Sequence, residues 1–254
     1  MTGLEELDYP MFVNATDVQV GQTVGPTPEE VIERYRRNRD WRLYKKEWIY
    51  RNFPPAGLSW LDFGCGTGEI TAQLAILGAS RVIGVDVDPR LIDMTRRRAE
   101  LDGVSDRVQA ICGDLATIEP QPVDVVLSYA VLHHLADHLQ QTARLIRRWL
   151  KPNGIFICSE PVSLLPGVEW LRQHSGVAMG PVDPGERKLT RADLKQIEDG
   201  FSHSRRVPFG MLGRFGRPLP WARGALLRMD ALLRPVPGAV WLAGNVIDIC
   251  RLDG

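Results

Sequence analysis

Leu61-Asp62-Phe63-Gly64-Cys65-Gly66-Thr67-Gly68-Glu69 is the stretch on which the reading of the whole chain turns. The residues Ser59 to Phe63 have the composition of a short apolar strand, and Glu69 to Leu77 read as a helix, so three glycines stand where a strand ends and a helix begins. Glycines let the chain turn sharply and let its backbone approach a ligand with no Cβ in the way, while the following helix presents free N–H groups. The spacing is G-x-G-x-G, which differs from the G-x-G-x-x-G of dinucleotide-binding folds.

Outward from this loop the pattern alternates strand and helix. Apolar runs at Ser59 to Phe63, Arg81 to Val85, Val108 to Cys112, Val123 to Ser128 and Gly154 to Ser159 predict strands, with helices at about Glu69 to Leu77, Pro89 to Leu101 and Ala136 to Leu150. Strands this continuously apolar are covered on both faces, which predicts an α/β domain with a mainly parallel sheet. Upstream, Thr2 to Pro28 carry no period and read as an arm. Glu29 to Asn52 read as a helix started by Thr27-Pro28 and broken at Phe53-Pro54-Pro55. Downstream of Glu160 a proline-rich stretch leads to a capping-box-like start at Thr190 to Asp193, a strand at Phe201 to Val207, a helix at Trp221 to Leu233 and a last strand within Val240 to Leu252. The division expected is an arm and helical cap over residues 1–55 and one domain over 56–254, with insertions at about 161–189 and 209–239 on the acceptor side.

Two acids sharpen the reading of the loop. Asp86 ends the second predicted strand, 18 residues beyond Gly68, where a carboxylate can accept hydrogen bonds from both hydroxyls of a ribose. Asp114 ends the third, where it can accept an N–H from an adenine amino group. Asp62 sits one step before the glycines, placed to help neutralise a ligand ammonium.

With these motifs in order, residues Leu58 to Pro161 resemble the class I S-adenosylmethionine-dependent methyltransferases, small-molecule and quinone-methylating members among them. The resemblance rests on Leu61 to Gly68, Asp86, Asp114, the strand Asp124 to Ser128 followed by Tyr129-Ala130-Val131-Leu132-His133-His134-Leu135, and Leu150 to Gly154 before a fifth strand. It implies a Rossmann-like sheet of seven strands with the last antiparallel, helices on both faces, and S-adenosyl-L-methionine as cofactor, leaving as S-adenosyl-L-homocysteine. It also implies a cofactor site of Asp62, Gly64, Cys65, Gly66, Gly68, Asp86, Val87, Asp114, Leu115, Ser128 and Tyr129.

Methyl transfer from a sulfonium is an in-line displacement, so orientation and exclusion of water do most of the work, and a base is needed only when the acceptor must lose a proton. His133 and His134 are the candidate bases, an imidazole being tuned for that task near neutral pH, although either ring can instead pack or cap a helix start. Glu160 is a candidate for orienting the acceptor or helping to hold a divalent ion, but no metal ligand set is read. Cys65 reads as a small packing residue within the cofactor loop. The stretch after the fourth strand has no Asp/Asn-Pro-Pro-Tyr motif, which similar enzymes use on amide or exocyclic nitrogens, so DNA bases and glutamine recede as acceptors.

The 254 residues carry 31 basic and 31 acidic side chains, a balance that excludes a uniformly basic nucleic-acid binder. The neutrality is a cancellation: residues 52–135 carry −5, suited to a cationic sulfonium, while residues 201–254 carry +5, eight arginines against three acids. Four scattered cysteines with no C-x-x-C pair point to reduced thiols, and the first ten residues lack the order of a signal peptide, so a cytoplasmic protein is expected. Ala222, Ala225, Leu226, Met229, Leu232 and Leu233 fall on one helical stripe with arginines off it. A lid over a lipophilic acceptor ranks first for this helix, core cover second, and contact with an anionic membrane surface last. The expected partner is therefore a small, hydrophobic acceptor, methylated on oxygen before carbon. A nucleic acid is not expected, and the oligomeric state is left open. An RNA or protein methyltransferase and a cofactor-binding subunit without turnover are the rival readings.

Overall fold

Seven runs of the chain pair into one sheet: β1 (Ser59–Phe63), β2 (Arg81–Asp86), β3 (Val108–Cys112), β4 (Val123–Tyr129), β5 (Leu150–Pro161), β6 (His203–Phe209) and β7 (Asn245–Arg251). The computed structural model describes residues 45–114, 117–165, 187–216 and 219–254, with 167, 170 and 174 besides. The strand order is β3-β2-β1-β4-β5-β7-β6, with β7 antiparallel to both neighbours and every other adjacent pair parallel. The expected mainly parallel α/β sheet with a final antiparallel strand is thus what forms. The expected arm, most of the expected N-terminal helix, Leu115 and the middle of the proline-rich stretch lie outside the described residues.

Helices cover both faces. A helix over 45–52 (α1), α2 (Glu69–Ile76) and α3 (Pro89–Leu101) supply Ile49, Ile70, Leu74 and Ala99, which pack with Trp60, Val82, Leu127, Ile157 and Ile247 on one side. On the other side α4 (Leu139–Trp149) and α5 (Arg191–Glu198) bring Ile146, Trp149, Leu194 and Ile197 against Phe63, Val85, Val126, Phe156 and Cys158. All five residues of β1 are buried, the polar Ser59 and Asp62 included, so the strand shows no apolar–polar alternation between a covered and a solvated face. Each large side chain so buried contributes about 1.5 to 3 kcal/mol relative to exposure. Local signals set the ends: Pro89 occupies the first turn of α3 behind an Asp88 cap, and Thr190 and Asp193 form the expected capping box of α5.

Two elements differ from expectation. The helix expected from Ala136 begins as a 3-10 turn at Leu132–Leu135, whose first N–H groups are capped by Glu160, and restarts as α4 at Leu139. The strand expected from Gly154 begins at Leu150, which pairs with Val123 across a register shift and bends at Asn153, φ 61°. Behind that bend Lys151 Nζ donates to Asp124 Oδ2 at 2.9 Å, and Ser59 donates to the same oxygen through its N (2.8 Å) and Oγ (2.6 Å). Partial burial opposes ionisation, but these donors hold the Asp124 carboxyl down to about 2. The clamp locks β1, β4 and β5 together at the edge opposite the site. At the other edge, the chain order reverses between β1 and β4, and it is there that the loops form a crevice.

Candidate active site

The glycine loop is built for packing at its two ends and for access in its middle. Gly64 and Cys65 both donate from their N atoms to Val85 O at 2.9 Å, tying the turn to β2. Gly64 has φ +70°, and a Cβ there would stand 2.4 Å from Val131 Cγ2; Gly68 caps α2 at φ +77°, where a Cβ would meet Thr95 Oγ1 at 2.7 Å. Gly66, φ +53°, differs: no heavy atom lies within 4 Å of its would-be Cβ, so the top of the loop is open to a ligand. Its N–H donates to Asp86 Oδ2 at 2.9 Å, while Asp88 N donates to Oδ1 at 3.0 Å. The carboxylate is therefore fixed in orientation with a lone pair left on each oxygen, enough for two further hydroxyl donors.

Beside it opens a cavity of about 430 Å³ lined by Gly64, Asp86, Val87, Gly113, Asp114, Val131 and His134, with Phe63, Val85, Leu135 and Leu145 giving apolar walls. Two carboxylates at successive strand ends with apolar walls between them match a group that carries hydroxyls, an amine and a flat ring. Val87 is 68% exposed directly after Asp86, an apolar surface on which such a ring can lie. The residues thus fit the adenosyl part of S-adenosylmethionine. That cofactor supplies an electrophilic methyl on a sulfonium when bound.

Beneath the loop the other expected residues pack inward. Asp62 is buried, accepts Thr71 Oγ1 at 2.7 Å, and has its carboxyl pushed up to about 6 by burial, against the pull of Thr71 and of Lys46. Cys65 lies against Thr95, with Sγ to Oγ1 at 3.7 Å, and burial raises its thiol well above the ordinary range, which fits packing and not nucleophilicity. Ser128 is buried in β4 with its Oγ lacking a hydrogen-bond partner, and Tyr129 at the strand end lies below Lys45 and Lys46, whose Nζ atoms stand 4.9 and 5.6 Å from its ring centroid.

The third group gathers around Glu160, which is fully buried at the end of β5. Its Oε1 accepts Val131 N (3.0 Å) and Leu132 N (2.9 Å), and its Oε2 lies 2.8 Å from His133 Nδ1. A carboxylate in contact with Nδ1 makes that nitrogen the donor and leaves Nε2 with the lone pair of a base. The His133 and His134 ring centroids lie 4.1 Å apart with their planes tilted by 36°, so the buried imidazole and the exposed one that lines the cavity are neighbours. The structure brings both candidate bases and Glu160 together, but divides their positions: His133 is held, His134 faces the cavity, and Glu160 is engaged with the turn and the ring.

A cover over this edge was only partly foreseen. Lys46 pairs with Glu69 at 2.6 Å, Tyr50 donates to Gln73 Oε1 at 3.0 Å, and Lys45 donates to Asn245 Oδ1 at 2.9 Å, so α1 is fastened to α2 and to β7. Burial drives the Lys45 amine down to about 8, with Glu160 pulling it back up and Lys46 adding to the fall. The signal for these contacts was present as two adjacent lysines just ahead of Trp48-Ile49-Tyr50, and as Glu69 and Gln73 one turn apart just after the glycines.

Residues 61–158 match the family described as Methyltransferase domain. A segment of 95 residues is 38% identical to the ribosomal protein L11 methyltransferase of Pasteurella multocida, covering 37% of this chain and 31% of that protein. Residues 61–158 form a class I S-adenosylmethionine-dependent methyltransferase domain. The fold extends beyond the matched segment. An S-adenosylmethionine-dependent methyltransferase from Mesorhizobium loti superposes with a TM-score of 0.52 at 18% identity, over 84% of this chain and 97% of that one. The cyclase SpnF superposes with 0.56 at 19%, over 83% and 80%. The same fold is thus shared with a protein described as a [4+2]-cyclase, and the chain spans about a third of the length of the curated relatives it matches.

Proposed function

We propose that the protein transfers the methyl group of S-adenosylmethionine to a small, hydrophobic acceptor, on oxygen in preference to carbon, with His133 as general base and Glu160 as the residue that positions it. The observation that carries this reading is the buried contact of His133 Nδ1 with Glu160 Oε2 at 2.8 Å, one residue from His134, which lines the cavity. An acceptor without a proton to lose has no use for an imidazole oriented by a carboxylate, whereas a hydroxyl or an activated C–H does. Asp86 and Asp114 hold the adenosine, the open face of Gly66 admits the methionine part, and Asp62 faces its positive charge from below. Cover of the site by α1 keeps water from the reacting atoms, and holding the two reactants in line accounts for roughly 7 to 11 kcal/mol of the barrier.

A second reading, methylation of a protein, is favoured by the L11 methyltransferases among the relatives. Their similarity covers the cofactor half, and the acceptor side of this chain, residues 187–254, lies beyond the family match. The deciding experiment supplies labelled S-adenosylmethionine with a panel of hydroxylated aromatic compounds and, separately, with ribosomal proteins. Label in a small-molecule methyl ether supports the first reading; label in protein alone replaces it with the second; cofactor binding without turnover of either overturns both. With the turned-over acceptor, His133→Ala and Glu160→Gln should lower kcat by about 10²- to 10⁴-fold with cofactor affinity unchanged, Glu160→Gln also shifting the pH profile.

A further inference from the structure

The C-terminal insertion is turned inside out relative to an ordinary surface helix. Its helix α6 (Arg223–Leu233) buries Asp230, whose oxygens accept Gly210 N at 2.9 Å and Leu212 N at 2.6 Å. This internal carboxylate turns one face of the helix inward, and part of its apolar side is left outside. Trp221, Ala225, Met229, Leu232 and Val236 follow one another at steps of three and four and are all exposed, Trp221 at 85% and Leu232 at 76%. Of the stripe read from the sequence, Ala225, Met229 and Leu232 are exposed, while Ala222, Leu226 and Leu233 are partly covered. A contiguous apolar surface of this kind on a folded chain marks a contact with something else.

The charge of the segment says what that is. Residues 210–244 contain five arginines and one acid, and the acid is the buried Asp230. Among the described residues, the segment therefore sets Arg223, Arg228 and Arg234 beside the apolar face and exposes no carboxylate. A second copy laid against it would bring arginine against arginine, whereas an anionic lipid surface neutralises the arginines and takes up the Trp and Leu side chains at the same time. The segment leaves the sheet after Phe209 and returns at Asn245, both at the edge that carries the site. Arg234 packs over the Phe209 ring at 4.1 Å and Lys45 bonds to Asn245. We propose that the exposed face of Trp221 to Val236 is a docking surface for anionic membranes, which holds the cofactor edge of the sheet against the lipid. A lipophilic acceptor would then reach the site from the bilayer, but the docking itself stands apart from the acceptor reading, because its test reads binding and not turnover.

The test is co-sedimentation of the full chain with vesicles of phosphatidylcholine containing about one third phosphatidylglycerol, compared with phosphatidylcholine alone. Binding should be at least about tenfold stronger to the anionic vesicles and should weaken as salt is raised. Trp221→Ser and Leu232→Glu should each reduce it about tenfold or more, and Arg228→Glu should reduce it on anionic vesicles only. Because these side chains are exposed, unfolding temperature and cofactor affinity should not move. Failure to sediment with either vesicle overturns the proposal, as does binding indifferent to Trp221→Ser and Leu232→Glu. A dimer that Leu232→Glu dissociates, with no vesicle binding, assigns the face to a second copy instead and overturns it too.

Discussion

Asp62 lies buried beneath the glycine loop with Thr71 Oγ1 as its hydrogen-bond donor, and burial pushes its carboxyl up from 3.8 to about 6. That gap corresponds to about 3 kcal/mol held against the folded chain wherever the group is ionised. Below about pH 4 both folded and unfolded chains carry the proton and the penalty disappears; it grows as pH rises and is complete above about 6, so this group makes stability fall through that window. Asn in its place still accepts from Thr71 but carries no charge. Asp62→Asn should therefore stabilise the protein without cofactor by about 2 to 3 kcal/mol near pH 8, and by about half a kcal/mol or less near pH 4. The measurement is urea unfolding of both chains at the two pH values, compared through midpoints at constant slope. The same substitution should weaken S-adenosylmethionine by about 1 to 3 kcal/mol, since the carboxylate that faces the methionine end is gone. A variant that is no more stable near pH 8, or whose gain is the same at both pH values, refutes the argument that burial of this charge is uncompensated without ligand.

Other substitutions probe the loop and its cover. Gly64→Ala places a Cβ 2.4 Å from Val131 Cγ2 at a φ of +70°, which should cost about 2 to 5 kcal/mol in thermal or urea unfolding. Adding Val131→Ala should recover the steric part and leave the backbone part. Lys45→Met removes an amine that burial holds down to about 8, a penalty present at neutral pH and lost as pH rises from about 8 to about 10.5. Even after loss of the Asn245 contact, the Met variant should be more stable by up to about 2 kcal/mol near pH 7, the gain fading at high pH in the same unfolding assay.

Much of this was written locally in the chain. The strands at Ser59–Phe63 and Val108–Cys112 and the helix at Pro89–Leu101 fall where periodicity and turn residues put them, although only the central β1 is buried throughout and β3, at the sheet edge, is partly exposed. The glycines and Asp86 were legible because their geometry is set by neighbours in sequence or by one adjacent strand. The contacts of Glu160 were not, since a lone acid at a strand end carries no mark of the turn it caps 28 residues earlier. Lys45 and Asn245 lie 200 residues apart, and no local pattern joins them. Asp230 was not legible as an internal residue for a related reason: its donors, Gly210 N and Leu212 N, lie 20 and 18 residues before it, beyond the reach of helical periodicity.

The central claim is that the crevice of Gly66, Asp86 and Asp114 holds S-adenosylmethionine, and isothermal titration of the full chain with the cofactor and with S-adenosylhomocysteine tests it most directly. Both should bind at one site per chain, and Asp86→Ala should weaken both by about 1 to 3 kcal/mol, roughly 5- to 150-fold, through loss of a charged partner for the ribose hydroxyls. No binding of either molecule to the unaltered protein, or binding that Asp86→Ala leaves unchanged, would contradict it.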